Sequence, residues 1–101
     1  MPKVESIQSN HPLIGTWITE NDDSAVEFTI YPEGSTLQVK GRDRMDGESF
    51  VITEIEFSNA QLSFRSTMPS TGHTVVNRMK SVSKGLVDFE YTIKETWVKV
   101  D

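Results

Sequence analysis

The sequence contains no cysteine. That excludes a disulfide framework, a thiolate metal site and a cysteine nucleophile. No apolar run approaches the roughly 20 residues needed for a membrane-crossing helix, and the opening "MPKVESIQSN" lacks the apolar centre of a signal peptide. A cytoplasmic protein with no membrane partner is therefore expected. Basic charge is also scarce: ten Lys and Arg against fifteen Asp and Glu leave a formal net charge of -5. Sequence-independent binding to nucleic acid requires a basic face that displaces counterions, so no nucleic-acid partner is expected. A helical apolar stripe, an internal repeat and a low-complexity linker are absent as well. At 101 residues one domain with a modest core is expected, spanning 11–101, with 1–10 a poorly ordered extension or a single helical turn.

What the chain does have is a period of two. In "SAVEFTIYP" Val26, Phe28 and Ile30 alternate with Glu27, Thr29 and Tyr31. In "STLQVKG" Leu37 and Val39 alternate with Gln38 and Lys40, and in "QLSFRS" Leu62 and Phe64 alternate with Ser63 and Arg65. One buried and one wet face per strand is what this pattern requires. Turn formers divide the run into strands near 14–20, 24–31, 35–41, 48–57, 61–67 and 73–82 before a final stretch, "LVDFEYTIKETWVKV". Asp46-Gly47 is the clearest hairpin signal, since both residues accept positive φ. In the final stretch the apolar parity shifts at Trp97, Val98 and Val100, as it would at a bend near 94–96. The fold class is all-β, an antiparallel up-and-down meander of seven strands, or eight if that bend divides the last. Closure would protect the edges of such a meander, so a closed or partly open barrel is expected.

Gly15-Thr16-Trp17 lies on the first strand of this meander and resembles the Gly-x-Trp of lipocalins and the wider calycin group. The resemblance implies a lipocalin-like barrel over about 12–100, with Trp17 sealing its closed end and Gly15 allowing close backbone approach. It also implies a small apolar ligand at the open end. The chain departs from the pattern in its last stretch, where the only bases are Lys94 and Lys99 rather than an Arg, and it has no Thr-Asp-Tyr segment.

Apolar parity gives an inward set of Trp17, Val26, Phe28, Ile30, Leu37, Val39, Val51, Ile55, Phe57, Leu62, Phe64, Val75, Met79, Phe89, Tyr91 and Ile93. These side chains would fill most of a small barrel, leaving a shallow pocket at most. Thr53, Ser66, Asn77 and Tyr91 are polar groups on or near the same parity. They either line that pocket or bond to one another, to backbone or to buried water. The loop "MPSTGHTV" places His73 at the expected rim, so Ser66, His73, Asn77 and Tyr91 form the candidate ligand site.

Competing chemistry finds little support. Asp43, Asp46 and Glu48 lack the spacing of a calcium loop and sit beside Arg42 and Arg44, which reads as a charged turn. Asp22 and Asp23 read likewise. His11 and His73 have no third ligand at recognisable spacing, so no metal and no cofactor is expected. No nucleophile elbow or triad set is present, and the chain is not expected to be an enzyme. The leading reading is a barrel that binds a small, partly apolar molecule without catalysis. The alternative is a protein-interaction or self-association module, such as a homodimer, with a filled interior. Charge asymmetry bears on the second: 1–57 hold eleven acids and four bases, 58–101 four acids and six bases. That imbalance either pairs acidic strands with basic ones or helps two copies associate.

Overall fold

The computed structural model describes residues 11–18, 25–83, 85–94 and 97–100. Among these, every regular element is a strand: β1 (Gly15–Trp17), β2 (Val26–Glu33), β3 (Thr36–Asp43), β4 (Val51–Ser58), β5 (Gln61–Thr67), β6 (Thr74–Ser83) and β7 (Leu86–Lys94). No helix among them is long and apolar enough to cross a membrane. The expected extension at 1–10 lies outside the described residues, as do 95–96 of the bend expected near 94–96 and the side chain of Ile93, expected inward. So do Asp22 and Asp23. Residues 97–100 form no strand.

Each strand is antiparallel to its neighbour in sequence, as the short turns require, but the ladder divides. β1, β2 and β3 form one sheet in that order, and β4 to β7 form a second. The division falls just after Asp46-Gly47. The turn itself is made as expected: the Gly47 N–H donates to the Asp43 carbonyl (2.8 Å) and the Asp43 N–H to the Glu48 carbonyl (2.8 Å). Pairing then continues only through Arg42 opposite Ser49 and the Phe50 N–H to the Gly41 carbonyl (2.9 Å). Beyond that corner the chain enters the second sheet. Among the described residues β1 and β3 end the first sheet and β4 and β7 the second, and no pairing of β1 with β7 closes the two into a ring.

The inner faces of the two sheets share one core of Leu13, Phe28, Ile30, Leu37, Val39, Phe57, Leu62, Phe64 and Met79. Phe28 joins them. Its ring meets Phe64 edge-on at 5.0 Å and lies near-parallel to Phe89 at 6.0 Å, both across from its own sheet. Gly41 is directly opposite Phe28 in the β2–β3 register, and a Cβ at Gly41 would stand 2.6 Å from Phe28 Cδ1. Here glycine is required for space.

Three expected core positions are corrected, and one of them is Phe89, 39% exposed although its ring stacks on Phe28. Val51 was expected inside but is 51% exposed, whereas Ile52 packs against the core. The cause is a β-bulge: Thr53 pairs with Arg65 and Glu56 with Ser63, so Glu54 and Ile55 together oppose Phe64. An extra residue reverses the parity, giving Ile52 inward before the bulge and Ile55 and Phe57 inward after it. Glu54 takes φ 53°, an uncommon value for a non-glycine residue. Tyr91 was also expected inside and is 63% exposed. It keeps the inward parity of β7, but β7 is an edge strand and the three-stranded sheet does not cover it there.

Charge is ordered across the strands. Glu27 pairs in register with Arg42, with Arg42 Nε 2.7 Å from Glu27 Oε2, and on the second sheet Arg78 stands opposite Glu90 and Lys80 opposite Asp88. Opposite charges on facing strands are mildly stabilising.

Gly41→Ala is expected to cost about 1 to 3 kcal/mol, because the new methyl forces the Phe28 ring off its seat. Urea unfolding checks this: a midpoint unchanged from the parent would show that the ring moves freely, and Glu33→Ala, exposed on the same sheet, serves as the neutral control.

Candidate functional site

The segment leading into β1 forms a cap over one end of the core. His11 begins a turn in which its carbonyl accepts from the Ile14 N–H (3.0 Å) and its Nδ1 accepts from the Leu13 N–H (3.1 Å). This drives Leu13 to full burial, while the His11 ring meets Phe57 edge-on at 5.0 Å. Trp17 packs partly buried against the core and donates its indole N–H to the Leu13 carbonyl at 2.8 Å. Gly15 takes φ 143°, yet nothing lies within 4 Å of a Cβ placed there. Its backbone angle calls for glycine, not the close approach expected from the Gly-x-Trp resemblance. Leu13, the deepest residue of the cap, was not anticipated, because it precedes the alternating pattern of any strand.

Ser66, Asn77 and Tyr91 come together on the inner face of the second sheet. Asn77 stands opposite Phe64 on one side and Tyr91 on the other. Asn77 is 2% exposed and Ser66 6%. The Asn77 amide donates to Ser66 Oγ at 3.0 Å, with longer approaches to the carbonyls of Val75 (3.3 Å) and Phe64 (3.4 Å). This amide is thus engaged within the sheet, which is how a buried polar group avoids its desolvation cost. His73 is not brought to them. It lies exposed beyond the last β5–β6 pair, Thr67 opposite Thr74, about 13 Å from Asn77 along the strand.

The acidic residues of the β3–β4 turn serve the turn. Asp43 Oδ1 accepts from the Met45 N–H and Asp46 Oδ1 from the Glu48 N–H, both at 2.8 Å. Glu48 holds the neighbouring loop: its carboxylate accepts from the Ser70 hydroxyl (2.8 Å) and the Ser70 N–H (3.1 Å). Among the described residues no group of three or more His, Asp or Glu is arranged to hold a metal ion.

What sequence patterning did not anticipate is the location of exposed apolar side chains. Val82 and Leu86 flank the β6–β7 turn, Phe89 and Tyr91 follow along β7, and Trp97, Val98 and Val100 end the chain, at 39% to 91% exposure. Each looked like a strand residue. Nothing local marks β7 as an edge, since that depends on where the meander stops. Comparison with protein families, with characterised proteins and with solved structures finds no match.

Asn77→Leu, close in volume, is expected to cost about 1 to 3 kcal/mol, because the Ser66 hydroxyl loses its partner inside. Adding Ser66→Ala should recover part of that loss. A urea double-mutant cycle measures the coupling, and strictly additive effects would mean the bond contributes nothing.

Burial lowers the pKa of His11 below its ordinary 6.5 by disfavouring the imidazolium. The unfolded chain therefore takes up this proton before the folded one does. The stabilisation from neutral His11 is complete above 6.5, declines as pH falls through 6.5 towards the lowered value, and is lost below it. Melting temperatures across this window should fall more steeply for the parent than for His11→Phe, which keeps a ring on Phe57 without titrating. Parallel curves would refute the assignment.

Proposed function

We propose that this chain is a cytoplasmic protein-interaction module that binds through β7 and performs no catalysis. The observation that carries the reading is the rise in exposure along the inward row of an edge strand: Val87 is half-buried, Phe89 is 39% exposed and Tyr91 63% exposed. The two rings lie 6.4 Å apart and form an aromatic strip beside a backbone edge that pairs with no other strand among the described residues. A partner's extended segment added at such an edge gains main-chain hydrogen bonds from the strand and side-chain contacts from the strip. Aromatic residues are favoured anchors at interfaces because they bury large area with few rotatable bonds. The interior supports this reading by being occupied, with Phe28, Leu62, Phe64 and Met79 filling the space between the sheets.

A second reading is kept because Ser66, Asn77 and Tyr91 do adjoin one another. A small, partly apolar molecule could lie flat on Phe89 and Tyr91, and a lipocalin-like barrel, to which Gly15-Thr16-Trp17 is the pointer, would use the same mouth. It needs polar contacts that the bonded Ser66–Asn77 pair already makes with itself. The interaction reading takes its polar groups from the strand edge.

A photo-crosslinking residue replacing Tyr91 in the living cell separates the two. Protein adducts at this position, and none when Lys40 on the other sheet is replaced, are the expected result. No protein adduct, together with a metabolite that raises the melting temperature of the parent but not of Tyr91→Ala, would establish the small-molecule reading instead.

A further inference from the structure

We infer that the partner of β7 is β7 of a second copy, paired antiparallel about a two-fold axis at Tyr91. This rests on the interaction reading above and commits it to one occupant. The ground is the distribution of exposed apolar side chains at the two ends of the strand. At one end Val82 and Leu86 are 59% and 54% exposed, and beyond the other Trp97 and Val98 are 85% and 80% exposed. The two ends of β7 stand about 27 Å apart for nine residues, and all four side chains are left uncovered within one chain. Antiparallel pairing of two copies lays the tail of each beside the β6–β7 turn of the other. Both ends are then covered by the same operation, as a two-fold interface requires.

Charge selects the register. The outward row of β7 carries Asp88, Glu90 and Thr92. A two-fold axis at Glu90 would set that carboxylate against its own copy, and one at Phe89 would set Asp88 against Glu90. Like charges directly opposite are destabilising. An axis at Thr92 would shorten the paired ladder within β7 to residues 90–94, against 88–94 for an axis at Tyr91. The axis at Tyr91 sets Glu90 against Thr92 and Asp88 at the register position of residue 94, so that no acid meets an acid, and it aligns Tyr91 with Tyr91 on the inward row. The two four-stranded sheets then join into one of eight, and the exposed edge disappears.

The absence of cysteine makes the register directly testable. Residues directly opposite in antiparallel strands have Cα atoms about 4.5 to 5.5 Å apart, within disulfide reach. Tyr91→Cys should therefore cross-link to its own copy on mild oxidation, and Lys40→Cys should not. Should Tyr91→Cys fold poorly, an equal mixture of Glu90→Cys and Thr92→Cys gives the same test, with the mixed dimer expected in excess over either self-linked one. Sedimentation equilibrium of the parent should give twice the 11.4 kDa chain mass, dissociating on dilution, and Trp97→Ser should weaken association about tenfold or more. A dimer cross-linked at other positions but not through these would overturn the register. A monomer at every concentration would overturn self-pairing. In that case, in-cell protein adducts at Tyr91 would leave the interaction reading standing with a different partner, and their absence would remove both.

Discussion

The contact on which the rest of the structure depends is the ring of Phe28 seated on Gly41. Within the first sheet it fills the space that a side chain at 41 would occupy. Across the core it meets Phe64 and Phe89 on two strands of the second sheet, and Phe50 at the corner between them, 6.0 Å away. Among the described residues backbone pairing joins the sheets only at the β3–β4 corner, so their mutual position depends largely on this side-chain packing. A small domain has few such contacts, and each carries a large share of a small net stability.

Much of this architecture was legible in the residues. Alternation marked the strands, and Asp46-Gly47 marked the turn after β3, because each of those signals is local. The bulge in β4 was not legible: "VITEIEF" alternates well enough to read as one regular strand, and only the partner strand reveals that two residues oppose one. Val51 was consequently assigned inward and Ile52 outward. Leu13 escaped for a related reason. Its burial comes from a turn held by His11, and a single apolar residue before a strand carries no periodicity. Where the meander divides into two sheets is equally beyond pattern, since the corner at 49–50 depends on pairing with the distant Gly41 and Arg42.

The candidate site divides along the same line. Ser66 and Asn77 were identified as polar residues on an apolar parity, and the structure pairs them, because parity decides which face a side chain takes. His73 was grouped with them for its chemistry, and strand length separates it from them. Tyr91 has the parity expected of it, yet burial depends on what lies opposite. A three-stranded sheet facing a four-stranded one leaves one strand's inner face incompletely covered, and in this chain it is the last strand.

That difference of one strand gives the fold its exposed edge. Natural edge strands are usually short, charged or covered, because a long apolar edge invites unintended pairing. β1, with three residues, follows that rule, and β7, with nine, does not. Its outward row is charged, but its inward row is aromatic and it is followed by a tail of exposed apolar side chains. An edge of this kind is a liability for an isolated chain and an advantage for one that binds by strand addition. The charged row bears on that distinction. Acids opposed to acids disfavour several pairings of β7 with itself, and the pairing at Tyr91 escapes that cost, so the same residues that discourage indiscriminate aggregation leave one specific association open.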